Sequence, residues 1–62
     1  MRLLDERETS ECLGCSVAAL HKWRLLGKGP TYIKMGRLVR YADADLAEYL
    51  DDNRIDPTGG AR

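Results

Sequence analysis

The apolar residues fall into short groups, and their spacing predicts the elements. Thr9, Cys12 and Leu13 recur at the i, i+3, i+4 spacing of one helix face. Ahead of them stand Leu3-Leu4 and then Asp5, a good N-cap with Glu8 three residues on as a capping box requires; Gly14 suits the left-handed residue beyond a helix end. A first helix is predicted from Glu6 to about Leu13. Ser16 offers a second N-cap, with Cys15 and Leu20 at the two positions of a hydrophobic staple. The second helix is predicted from about Val17 to Leu26 and stops at Gly27. Leu20 and Trp23 face inward with Ala19 and Leu26 flanking, while Ala18, His21, Lys22 and Leu25 point elsewhere.

Gly27-Lys28-Gly29-Pro30 is turn chemistry, and Thr31 to Tyr41 reads as a β-hairpin around Gly36-Arg37. Two registers compete. A two-residue loop with Gly36 first pairs Met35 with Leu38 and puts Arg40 on the face of Ile33 and Met35. A three-residue loop, Gly36 to Leu38, pairs Met35 with Val39 and Ile33 with Tyr41, collecting four apolar residues on one face. The second is preferred, because a one-residue slip flips every side chain and a core needs that apolar set. It turns Lys34 and Arg40 outward, with Arg37 at the tip. Leu46, Tyr49 and Leu50, behind Asp43 and Asp45, predict a third helix over roughly Asp43 to Asp52. The expected organisation is one domain over residues 1–52 and a flexible C-terminal tail over 53–62, which holds a single large apolar residue, Ile55.

With 62 residues, 44% hydrophobic, the chain has room for one thin core. No apolar run approaches the roughly 20 residues that cross a bilayer, and the order of a signal peptide is missing, so a cytoplasmic protein without membrane contact is expected. A substrate cavity of roughly 300 Å³ is hard to enclose in so short a chain, which favours a binding module over an enzyme. Ten Lys plus Arg balance ten Asp plus Glu. Taken alone, that neutrality argues against a phosphate-rich partner.

The distribution reverses the argument. Met1 to Ser16 nets −2, Val17 to Tyr41 nets +6 with no acid, and Ala42 to Arg62 nets −4. The central cations are Lys22, Arg24, Lys28, Lys34, Arg37 and Arg40. Such polarity steers an anionic partner to one face.

Two helices joined by about three residues that include a glycine suit a helix-turn-helix, whose second helix enters the DNA major groove. Ser10 is the small residue for a close helix crossing, Gly14 stands at the turn, and Thr9, Leu13, Cys15, Leu20 and Trp23 hold the core positions. With Trp23-Arg24, Gly27-Lys28-Gly29-Pro30, Lys34-Met35-Gly36-Arg37, Val39-Arg40-Tyr41 and Asp45-Leu46, the chain from about Leu3 to Leu50 resembles the phage excisionases, recombination directionality factors of the MerR superfamily. The resemblance implies an α+β, mainly α, winged helix-turn-helix that binds and bends double-stranded DNA. It matches Ser16, Val17, Ala18, His21 and Lys22 to the major-groove positions, Arg24, Lys28 and Lys34 to backbone contacts, and Arg37 and Arg40 to the wing. It also implies as partners a phage integrase, directed towards excision, and further copies bound head-to-tail on repeated sites. A small phage or bacterial transcriptional regulator of the same fold is the alternative.

Ala18 and Ala19 leave the second helix short of long polar side chains, so phosphate contacts are expected to carry much of the affinity. His21 and Lys22 are the candidates for guanine N7 and O6, and Arg37 for a narrowed minor groove. Tyr32 is open to stacking, to phosphate or to packing. Cys12-Leu13-Gly14-Cys15 has only His21 as a further ligand, one short of structural zinc, so both thiols are expected to be reduced core fillers and no metal or cofactor is expected. His21 lacks a matched nucleophile for catalysis. The acidic segment from Ala42 onward is expected to lie away from DNA, against a neighbouring copy or the integrase.

Overall fold

A computed structural model describes residues 1–58; Gly59 to Arg62, the end of the tail expected from the sequence, lie outside the described residues. The order is β1 (Leu3–Leu4), α1 (Glu6–Leu13), α2 (Val17–Leu25), β2 (Ile33–Met35), β3 (Leu38–Ala42) and α3 (Asp43–Asp52). Three helices and a three-stranded antiparallel sheet, in the order β1-β3-β2, make a small α+β fold. No described helix is long and apolar enough to cross a membrane.

The helices begin and end where their caps dictate. Asp5 accepts from the Glu8 backbone N–H at 2.8 Å while the Glu8 side chain accepts from the Asp5 N–H at 3.1 Å, a full capping box, and Gly14 ends α1 in the left-handed region. Ser16 caps α2 by accepting from the Ala19 N–H at 3.0 Å. α2 ends at Leu25, one residue short of the predicted end, and its C-cap, Leu26, is 56% exposed. Asp43 starts α3 with its carboxylate on the N–H groups of Arg2 and Ala44. Beyond α3, Asn53 to Thr58 are exposed.

The hairpin takes the register that the sequence reading set aside. Met35 pairs with Leu38, Lys34 with Val39 and Ile33 with Arg40, so the loop is Gly36-Arg37 alone. The position of the glycine decides this. A three-residue loop wants its last residue in the left-handed region, which would strain Leu38, whereas a two-residue loop of the II′ kind wants glycine first. Gly36 has φ 63°, and no non-glycine residue among the described residues has a positive φ. The shift corrects the assignment of faces: Arg40 lies with Ile33, Met35 and Leu38, and Lys34 lies with Val39 on the side of Tyr41.

The core holds Leu4, Leu20, Tyr41 and Leu46, with Leu13, Cys15, Trp23 and Val39 packed against it. Thr9 and Ser10 are buried, their hydroxyls donating to the carbonyls of Asp5 and Arg7. Cys12 is exposed, against the core position expected of it. At about 100° per residue Thr9, Ser10 and Leu13 share roughly one third of the helix circumference, and Cys12 falls outside it. Leu50 is likewise half-exposed. The third strand, β1, was not anticipated: Leu3 pairs with Ala42 and Leu4 with Tyr41, closing the chain's start onto the start of α3.

Candidate nucleic-acid interface

The second helix presents Ala18, His21, Lys22 and Leu25 to solvent, one face at i, i+3, i+4, i+7 spacing. Leu25 is 87% exposed. Of the other positions matched to the major groove, Val17 is half-buried and the Ser16 oxygen serves as the helix cap.

Between α2 and the hairpin lies a cleft of about 380 Å³ lined by His21, Arg24, Leu25, Tyr32, Lys34 and Val39. Its lining includes Lys34, Arg24 and His21, the last two bonded to the Glu6 carboxylate. The hairpin register puts Lys34 here, opposite α2. Arg37 sits at the hairpin tip and Lys28 in the loop that follows α2, both exposed. Arg40 is half-buried, and its Nη1 donates to the carbonyl of Val39. A second, smaller cleft of about 120 Å³ between α3 and the loop before β2 is lined by Gly29, Thr31, Asp45, Glu48, Tyr49 and Asp52. The charge segregation of the sequence is therefore also spatial, with one basic cleft and one acidic.

Arg24 has the most engaged side chain of the six central cations. Its Nη1 donates to Oε2 of Glu6 at 2.9 Å and to the Tyr41 hydroxyl at 3.1 Å, and its guanidinium lies 5.6 Å from the centre of the Tyr32 ring. Burial works against its charge, but the bonds it donates to Tyr41 and Glu6 outweigh that and hold its pKa above the usual arginine value. The same Glu6 oxygen is 2.6 Å from Nε2 of His21. One carboxylate on α1 thus fixes two side chains of α2, and it occupies a ring nitrogen that base recognition by His21 would use. Sequence reasoning missed both Glu6 and Tyr41. Nothing local marks them, because the contact exists only once the helices have crossed.

No family model, curated protein or solved structure matches the chain.

The site residues therefore rest on geometry. Among the described residues Lys22, Lys28, Lys34, Arg37 and Arg40 take part in no ion pair; those present join Arg2 to Glu8, His21 and Arg24 to Glu6, and Arg54 to Asp51. Five of the six central cations thus keep their charge unneutralised by the protein. No group of three or more His, Cys, Asp or Glu side chains among the described residues could hold a metal ion. Chemically, the face is suited to hold an extended polyanion.

Proposed function

We propose that this chain is a winged helix-turn-helix protein that binds and bends double-stranded DNA, with α2 as recognition helix and the β2–β3 hairpin as wing, and that it is not an enzyme. The observation that carries the reading is the basic cleft between α2 and the hairpin, set against an acidic cleft at α3. A DNA backbone running between helix and wing meets Lys34 there, flanked by Lys22, Lys28 and Arg37, while Arg24 is held by Glu6 and Arg40 stands on the other face of the wing. Phosphate contacts of this kind give affinity and register, and base contacts from Lys22, joined by His21 once its ring leaves Glu6, add what sequence preference the short helix face allows.

The resemblance to phage excisionases extends the proposal to a role. Copies bind head-to-tail at repeated sites beside an attachment site and bend the DNA, which turns a phage integrase towards excision. Selection of bound fragments from a random duplex library, followed by footprinting on DNA flanking the chain's own gene, tests this. Directly repeated sites next to an attachment site are expected. A single site over a promoter replaces excision by transcriptional regulation, and the absence of any selected duplex ends the DNA reading.

A further inference from the structure

The register of the hairpin creates a feature that the DNA reading has not used. Met35 and Leu38 are directly paired, immediately behind the two-residue turn, and are 47% and 53% exposed. They lie on the face opposite Lys34 and Val39, so they contribute nothing to the cleft beside α2. Ile33 and Arg40 form the next pair back on the same face, both half-buried. Directly paired, the two side chains form one joint apolar surface at the far end of the hairpin. Turn chemistry does not require them there, since polar residues would close the same Gly36-Arg37 loop.

We infer that Met35 and Leu38 form an apolar wedge that enters the DNA minor groove behind Arg37 and partly unstacks one base step. The inference rests on the proposed DNA binding and names its mechanical part. Three features select a base step over a protein surface. First, the hairpin ends in a two-residue turn whose first residue, Gly36, carries no side chain, so its tip presents little bulk to a minor groove that widens as the duplex bends. Second, Arg37 at the tip has no ion pair among the described residues, and no acid stands between Val17 and Tyr41, so the electrostatic attraction of the narrow groove acts on the tip without competition. Third, the pair is apolar and flexible or branched without a polar end group. Side chains of that kind, Met and Leu among them, are the ones that prise base steps apart and kink duplexes. A pyrimidine–purine step, the easiest to unstack, is the expected target.

The test uses a duplex selected by the wild-type protein, labelled at its ends for energy transfer and carrying 2-aminopurine at each candidate step in turn. The wild type is expected to shorten the end-to-end distance and to raise the 2-aminopurine signal at one step. The Met35→Ser/Leu38→Ser double variant is expected to bind with affinity reduced by no more than about tenfold, to keep the wild-type circular dichroism, and to lose both signals. The Met35→Leu/Leu38→Met exchange, which keeps volume and apolarity, is expected to restore them. A double variant that is folded, binds and bends as the wild type does overturns the wedge while leaving DNA binding intact. So does a variant whose only change is in self-association, which would make the pair a contact between copies. A wild type that binds no duplex overturns the wedge and the DNA reading together.

Discussion

Replacing Glu6 by Gln should move stability and DNA affinity in opposite directions. The carboxylate holds Nε2 of His21 at 2.6 Å and Nη1 of Arg24 at 2.9 Å, and the side chains of Glu6, His21 and Arg24 are 28%, 53% and 19% exposed. That environment lies between a surface pair, worth at most about 1 kcal/mol, and a buried one, whose rupture costs about 3–5 kcal/mol. A loss of about 1–2 kcal/mol is expected, and each kcal/mol lowers Tm by about 4–8 °C in a domain of this size. The effect on DNA has the other sign. A carboxylate about 10 Å from a phosphate repels it by roughly 0.4 kcal/mol in water and by about 0.1 kcal/mol once salt screens it. Over about five phosphates the relief is roughly 0.6 kcal/mol, or about threefold in affinity. Arg24, released from Glu6, adds up to one phosphate contact and steepens the salt slope by about 0.9. Thermal unfolding by circular dichroism and anisotropy titration of a labelled duplex read the two effects. An unchanged Tm refutes the energetic role of the pair. Weaker binding by the folded variant refutes competition between Glu6 and phosphate and makes Glu6 a positioning residue.

Other outcomes follow from the same geometry. Gly36→Ala puts a Cβ into open space at φ 63° and so costs only the left-handed strain, about 1–2 kcal/mol, whereas the Cβ of Gly29→Ala also lands 3.1 Å from Cβ and Cε3 of Trp23. Urea unfolding should rank the second well below the first, and equal losses contradict the packing. The Asp43 carboxyl is held below the usual carboxylate range by the N–H groups of Arg2 and Ala44. Its contribution is therefore complete above the ordinary carboxylate pKa and disappears as pH falls through the lowered one, so below about pH 4 the wild type should lose Tm faster than Asp43→Asn. Parallel curves contradict this. Arg37→Ala should flatten the salt dependence of DNA binding by about 0.9, while Arg54→Ala, which removes a salt bridge to Asp51, leaves it unchanged; equal effects count against the wing.

Most of the fold is legible because its signals are local. Asp5, Glu8, Gly14 and Ser16 mark helix ends through bonds that span three to five residues, and those ends fall where the residues put them. The hairpin register went astray where a core argument outweighed a turn argument. Four apolar residues on one face looked decisive, yet the glycine's place in the loop fixed the pairing, and Met35 and Leu38 went to solvent as a result. Leu3-Leu4 formed a strand only because β3 stood beside them, forty residues away in the chain. The basic residues of the site could be read as charges, and five of the six take part in no ion pair among the described residues. Arg24 could not be read that way, since its partners Glu6 and Tyr41 come from two other elements and reach it through packing alone.

The central claim is that the unpaired cations of α2 and the hairpin exist to meet phosphate. Titrating a duplex with the full chain across a series of salt concentrations measures this directly. With Lys22, Lys28, Lys34, Arg37 and Arg40 in contact, log affinity should fall with log salt at a slope of about −4 to −5. A slope near zero would contradict the account.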